Sequence, residues 1–227
     1  MNFIVAFLLL HCGEERAFWL MKAVAETILP DYYNDGLTGV MVDIEVFVDL
    51  VHLRLPAVRD WCAAARVDLH TLVQLLATQW FLCLFVHCVP LETTMRIWDC
   101  FFVYGPMVLM RVGLVLLQRH HATFLQKLQQ EERLTSIEDG VTPQKKKSAS
   151  GKRSAAPRVP GFNIDVTEVV SHVRESIRNE RKEQWNETLR AVFEDEFACV
   201  LPSDLERLRQ KHIRKEQIAT AERTRRQ

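Results

Sequence analysis

What this sequence lacks first is a net charge. Twenty-nine Lys and Arg are balanced by twenty-nine Asp and Glu in 227 residues. No overall field exists to draw in nucleic acid or an anionic membrane, and no specific nucleic-acid partner is expected. No CxxC pair occurs among the six cysteines, at 12, 62, 83, 88, 100 and 199, and they do not make the dense framework of small secreted domains. Reduced, buried thiols are expected. No apolar run reaches the ~18–20 residues that span a bilayer, because His11, Glu14, Glu15 and Arg16 interrupt the first and His87 the longest later one. The opening MNFIVAFLLL has the apolar character of a signal-peptide core, yet no basic segment precedes it and no clear small-residue cleavage site follows, so a cytoplasmic protein is expected. GxGxxG, GxxxxGK followed by Ser or Thr, HExxH and GxSxG are all absent. The dinucleotide, nucleotide, metalloprotease and hydrolase readings lose their foothold, and no cofactor is expected.

What is present is unevenly distributed. Residues 1–130 carry 9 basic and 12 acidic side chains, residues 131–227 carry 20 and 17, and only Phe162, Trp185, Phe193 and Phe197 represent the aromatics beyond residue 130. Within 142–161, the stretch TPQKKKSASGKRSAAPRVPG has six basic residues, three prolines and no acid, a composition that cannot build a core. The chain therefore divides into a helical domain over 1–130, a basic Pro/Ser-rich linker over 131–161 and a charged amphipathic tail over 162–227. The expected role for Lys145, Lys146, Lys147, Lys152, Arg153 and Arg158 is to solubilise and extend the linker, with acidic phospholipid, nucleic acid or a nuclear import signal as the alternatives.

Apolar residues recur at three and four rather than two, so an all-α fold follows. Glu15 to Leu29 predicts a helix with Phe18, Met21, Ala25, Ile28 and Leu29 along one side, ended by Pro30, which constrains the residue before it. Asn34, Asp35, Gly36 and Gly39 then mark a loop. Asp43 is expected to cap a helix that buries Val46, Phe47, Leu50 and Val51. A helix near Pro56 holds Trp61, and another over Leu69–His87 is apolar on nearly every side, which suits the middle of a bundle. Pro90 opens the next helix, with Met95, Trp98 and Phe102 on one face, closed by Gly105 and Pro106. A helix from Met107 to about Leu128 comes after it. In the tail, one long amphipathic helix is expected over Ile164–Phe197 and a second from Pro202 to near Arg225, packing back on the bundle or forming a coiled coil.

Candidate chemistry is sparse. Cys83, His87 and Cys88 at helical spacing suggest a metal, but no second pair completes a tetrahedral set, and core filling is the expected role. His11 with Cys12, and His120 with His121, fail likewise. Asp99 follows Trp98 inside an apolar stretch. It is expected to be buried, with Arg96 as its donor, in a salt bridge holding two helices together.

Several segments in order resemble one family: MNFI, EERAFWLMKAVAETILPDYY, the LP of Leu55–Pro56, ATQWFLCLFVHCVP, and RIWDCFFVYG followed by MVLMRVGLVLL. Together they resemble, over roughly residues 1–125, the TBC (Tre-2/Bub2/Cdc16) domain of Rab GTPase-activating proteins. The resemblance implies a two-lobed helical domain that accelerates GTP hydrolysis on Rab proteins in vesicle traffic, here represented by its carboxyl-side lobe. It also implies an arginine from an IxxDxxR motif and a glutamine from a YxQ motif just before GMN. Met1 and Asn2 match the MN of that motif, the glutamine position falls two residues before Met1, and IxxDxxR occurs nowhere in the chain. No catalytic residue is therefore carried over, the chain as given is expected to be inactive as an activator, and a non-catalytic helical adaptor or Rab-binding protein is the alternative. Asn2, Phe3, Trp80, Pro90, Arg96, Trp98 and Asp99 match family positions and are assigned scaffold roles. The implied partner is a Rab-family small GTPase, with peripheral endomembrane contact through it, and self-association is expected where a missing lobe leaves apolar surface near residues 3–10.

Overall fold

A computed structural model describes residues 1–121, 165–193 and 200–225; the linker over 131–161 and the positions of Phe124, Phe162, Phe197 and Cys199 lie outside them. Ten helices are seen among the described residues and no strand: α1 (Asn2–Leu9), α2 (Glu14–Ala23), α3 (Thr38–Arg54), α4 (Pro56–Ala65), α5 (Leu69–Leu82), α6 (Leu91–Tyr104), α7 (from 107, described through 121), α8 (Val166–Arg178), α9 (Lys182–Ala191) and α10 (Pro202–Arg225). The helix boundaries follow local chemistry. Pro56 occupies the first turn of α4, where a missing amide hydrogen costs nothing. Asp68 accepts the Thr71 amide at 2.9 Å to start α5, and Asp165 accepts that of Thr167 at 2.9 Å to start α8. α2 ends at Ala23 rather than continuing to Leu29, because Val24–Ile28 widens into a π-turn before Pro30. Phe18, expected on its buried side, is exposed, while Ala17 and Met21 are buried.

The centre of the molecule is α3, in which Ile44, Val46, Phe47 and Val51 have no measurable exposure. It packs chiefly on α5, where Phe47 meets Phe81 edge-on with ring centroids 5.2 Å apart. Two glycines set the spacing. A Cβ on Gly113 would lie 2.7 Å from Phe47 Cζ, so α7 crosses this ring at a distance only glycine permits. A Cβ on Gly39 would lie 2.5 Å from the Pro30 carbonyl oxygen, so its absence lets the first turn of α3 press on the preceding loop.

Asp43 is not the cap of α3. The helix starts five residues earlier at Thr38, whose amide donates to Asn34 Oδ1 at 3.2 Å, and Asp43 is an interior, buried carboxylate. Its partners include one from far along the chain. Tyr32 donates its phenolic hydrogen to Oδ2. Arg209 of α10 grips both oxygens, Nε on Oδ1 and Nη2 on Oδ2, each at 2.6 Å. Beside it, Lys211 and His212 meet Asp49 at 2.7 and 2.9 Å.

The tail thus packs on the bundle, and the long helix expected over Ile164–Phe197 breaks at Asn179–Arg181 into α8 and α9. α8 buries Val169, Val170, Val173 and Ile177, and Arg174 donates to the Leu75 carbonyl at 3.0 Å. α9 buries Trp185, and Arg111 of α7 donates to the Val200 carbonyl at 2.9 Å. The Arg96–Asp99 pair is the opposite of what the sequence suggested. Both side chains lie on α6, are about three-quarters exposed and stand 4.0 Å apart, so the pair joins no second helix. Ile97, Trp98 and Phe101 of that stretch are buried, whereas Met95 and Phe102 are both 40% exposed.

These contrasts set measurable expectations. Removing one partner of the desolvated pair, Asp43→Ala or Arg209→Ala, costs roughly 3–5 kcal/mol in urea denaturation, whereas Arg96→Ala costs less than about 0.5 kcal/mol. Gly113→Ala costs about 1–3 kcal/mol by overpacking, part of which is regained when Phe47→Leu is added. Burial pushes the Asp49 carboxyl up, but hydrogen bonds from Lys211 and His212 outweigh it and hold it below the usual carboxylate value. A depressed folded pKa stabilises above the unfolded value and is lost as pH falls through the folded one. The urea midpoint therefore drops as the medium is acidified below about pH 4, and Asp49→Asn flattens that dependence.

Candidate functional site

The residues that matched the family pattern fall into two groups in space. The first is held in the core. Trp80 on α5 is 1% exposed, stacked on Phe85 with centroids 5.9 Å apart. Trp98 on α6 is buried, and its indole N–H donates to the Leu84 carbonyl at 3.0 Å. That bond anchors the segment between α5 and α6, a tight path in which Leu84, Phe85 and His87 take the left-handed conformation at φ of 49°, 62° and 64°. Bulky residues are strained at such backbone angles and adopt them only where surrounding contacts enforce them. Here the enforcing contacts are visible: Leu84 and Phe85 are fully buried, and the Phe85 amide donates to the Trp80 carbonyl at 2.9 Å. α5 consequently ends at Leu82 and not at His87. Cys83, His87 and Cys88 share no helix face, and the spacing argument for a metal loses its premise. Among the described residues, no group of three His, Cys, Asp or Glu is arranged to hold an ion.

The second group is at the surface. Asn2 and Phe3 open α1, with Phe3 edge-on to His87 at 4.8 Å between ring centroids. Pro90 is exposed at the start of α6, and Arg96 and Asp99 project from that helix. Phe7 joins the two groups, lying 4.7 Å from the Trp98 ring and stacked at 4.9 Å on His11. Phe7, His11 and His87 escaped the sequence reading as members of one site. Phe7 was signalled only by the apolar period of α1, the two histidines only by their spacing to cysteines, and the left-handed turn that brings His87 to Phe3 contains no glycine or asparagine to announce it.

Around this aromatic junction the surface is bare of cover. Phe3, Leu10, Phe18 and Trp19 on α1, α2 and their connection are each more than half exposed, as is Leu91 at the start of α6, whereas Tyr104 at the other end of that helix turns to Phe193 with ring centroids 5.3 Å apart. Single exposed apolar residues are ordinary, but a concentration on adjacent elements marks a contact surface. Reaction chemistry is poorly supplied on this face. Burial pushes the Cys88 thiol up to about 12 and raises Cys83 and Cys100, so these sulfurs are protonated and weakly nucleophilic at neutral pH. Among the described residues, no helix is long and apolar enough to cross a membrane.

Comparison with known proteins agrees with this geometry. Residues 1–125 match the family model described as the Rab-GTPase-TBC domain. Growth hormone-regulated TBC protein 1 of Xenopus laevis is 46% identical over 127 residues, covering 56% of this chain and 36% of that protein. The Homo sapiens protein of the same name is 43% identical over 127 residues, covering 56% and 37%. Carabin of Mus musculus is 40% identical over 115 residues, 51% of this chain and 25% of that one. The chain thus spans well under half the length of these relatives. A solved structure, that of the Chlamydomonas flagellar RabGAP TBC domain, superposes with a TM-score of 0.58 at 27% identity, covering 86% of this chain and 51% of that one. That share is more than residues 1–125 can supply, so the structural likeness takes in part of the tail. Over more than half its length, and with the helical architecture to match, this chain belongs to the Rab-GTPase-TBC domain family.

Proposed function

We propose that this chain is the carboxyl-side lobe through which a Rab-directed GTPase activator grips a Rab-type small GTPase, and that the groups accelerating hydrolysis lie outside these 227 residues. The observation that carries the reading is the uncovered aromatic face beside Asn2 and Phe3, the residues that match the family's motif next to its catalytic glutamine. Phosphoryl transfer to water spreads charge over the phosphate oxygens and needs an oriented nucleophile, tasks for a guanidinium and a carboxamide aimed at the nucleotide. The chain contains no IxxDxxR, and Arg96 is paired along its own helix with Asp99. A lobe of this kind supplies docking area and leaves the chemistry to its neighbour. Location in the cytoplasm and at the endomembranes that carry the GTPase follows from such a partner.

Single-turnover GTP hydrolysis on a panel of Rab proteins tests this directly. With the 227-residue chain the rate stays within about twofold of the intrinsic one, although binding is measurable, because an arginine finger supplies on the order of a thousandfold or more. Robust acceleration by the chain alone would defeat the reading, as would binding that survives Phe3→Ser and Leu91→Ser together.

The same bare surface favours self-association of the isolated chain. Velocity sedimentation shows concentration-dependent larger species that recede when Leu10→Lys and Phe18→Ser are introduced, and concentration-independent monomer in the parent chain would contradict this.

A further inference from the structure

Along α10, Glu206, Arg209, Ile213, Glu216 and Ala221 recur at three, four or five residues and form one stripe. With the α2–α3 connection and the first turns of α3, that stripe encloses a groove of about 720 Å³, away from the aromatic face described above in every lining residue. Leu29, Val42 and Ile213 give it an apolar floor, and its size is that of a pocket for a few side chains. The charge on its walls is one-sided. Asp31, Asp43, Glu206 and Glu216 line it against a single cation, Arg209, and Arg209 is already engaged by both oxygens of Asp43. Of the neighbouring cations of α10, Arg207 meets Asp204 at 3.4 Å and Lys211 meets Asp49 at 2.7 Å, while Arg214 and Lys215 are exposed and lie outside the lining. The groove therefore presents apolar surface with a net negative lining, in which Asp31, Glu206 and Glu216 are added to the Asp43–Arg209 pair and Glu206 also feels the Arg209 charge.

An apolar cleft with a negative rim complements a side chain that is apolar along its stem and cationic at its tip. We propose that this groove binds a basic amphipathic peptide segment of a partner protein, with a Lys or Arg stem lying on Leu29, Val42 and Ile213 and its charged head among Asp31, Glu206 and Glu216. The apolar floor favours a stem charged at one end only, whereas each short methylene run of a small polyamine is flanked by charge at both ends. The rim demands the charge, which excludes an acidic or neutral amphipathic helix. Because the occupant meets α10 and α3 together, its binding also reinforces the contact that Arg209 makes with Asp43.

Calorimetric titration of the full 227-residue chain with a synthetic amphipathic Leu/Lys helix, its Leu/Glu counterpart and spermine tests the proposal. The Leu/Lys peptide binds, the Leu/Glu peptide and spermine do not compete, and raising salt weakens the binding. Glu206→Gln with Glu216→Gln weakens it about tenfold or more, and Ala221→Trp, which narrows the groove, does the same. Both glutamate side chains are exposed, so circular dichroism and the urea midpoint of the double variant stay at parent values, separating lost binding from lost folding. Equal affinity of the double variant, equal binding of the Leu/Glu peptide, or displacement of the peptide by equimolar spermine would each overturn the proposal. So would methyl resonances that shift on α1 and α2 rather than at Val42 and Ile213. Sedimentation that shows the groove filled by a second copy of the chain, abolished by the same double variant, would overturn it as well.

Discussion

A carboxylate taken out of water must be given partners, and Asp43 is the place where this lobe meets that demand. At 1% exposure it is surrounded by the apolar length of α3, and its two oxygens receive three donors, one from Tyr32 and two from Arg209. Burial of an unpaired charge costs several kcal/mol, so the folded state is coherent only with α10 in place. The planar guanidinium explains why the partner is arginine, since its two parallel N–H groups match the carboxylate and fix the rotation of α10. Burial also pushes the Tyr32 hydroxyl well above its ordinary pKa, reinforced by the Asp43 charge, which keeps it a donor at any physiological pH. A residue 166 positions away thus becomes part of the core of residues 1–121.

The path from α5 to α6 is a second constraint of the same kind. Three non-glycine residues in left-handed conformations are costly, and the cost is offset by burying Leu84 and Phe85 and by the indole bond from Trp98. Its consequence reaches the surface, because the turn sets His87 against Phe3 and so joins the start of α1 to α6. Trp98 then has three contacts at once: Leu84 through its N–H, Phe7 at a tilt of 50° and Phe102 edge-on. The aromatic face is thereby positioned by buried backbone strain rather than by the exposed Arg96–Asp99 pair.

Most of the helices were legible because their determinants are local. Pro56, Pro90, Gly105 and the 3.6-residue apolar period act within a few positions of themselves. The failures share a different cause. Asp43 after a glycine-bearing loop has the signature of a cap, and nothing near it in sequence reveals that Tyr32 and Arg209 converge on it. Asp99 lies next to a buried tryptophan, yet one residue along a helix is a rotation of about 100°, enough to place Asp99 in water. The break at Asn179–Arg181 was hidden within a charged stretch that carries no glycine or proline. Gly113 has helical geometry, and its role exists only because Phe47 sits opposite. For the aromatic face, resemblance supplied Phe3 and Trp98, whereas Phe7 and His87 became visible only when α1 and the α5–α6 turn were set side by side.

The reach of the family likeness bears on how the lobe holds together. The sequence match ends at residue 125, whereas the structural one extends into the tail. The tail is joined to the helices before it by polar contacts, Arg209 to Asp43 and Arg111 to the Val200 carbonyl, and by buried apolar side chains, among them Val169, Val173, Ile177 and Trp185. The tail is then an integral wall of the lobe with a weak sequence signature. Stability residing in α3, α7 and their tail contacts leaves α1 and α2 able to keep large apolar side chains such as Phe3, Phe18 and Trp19 in water.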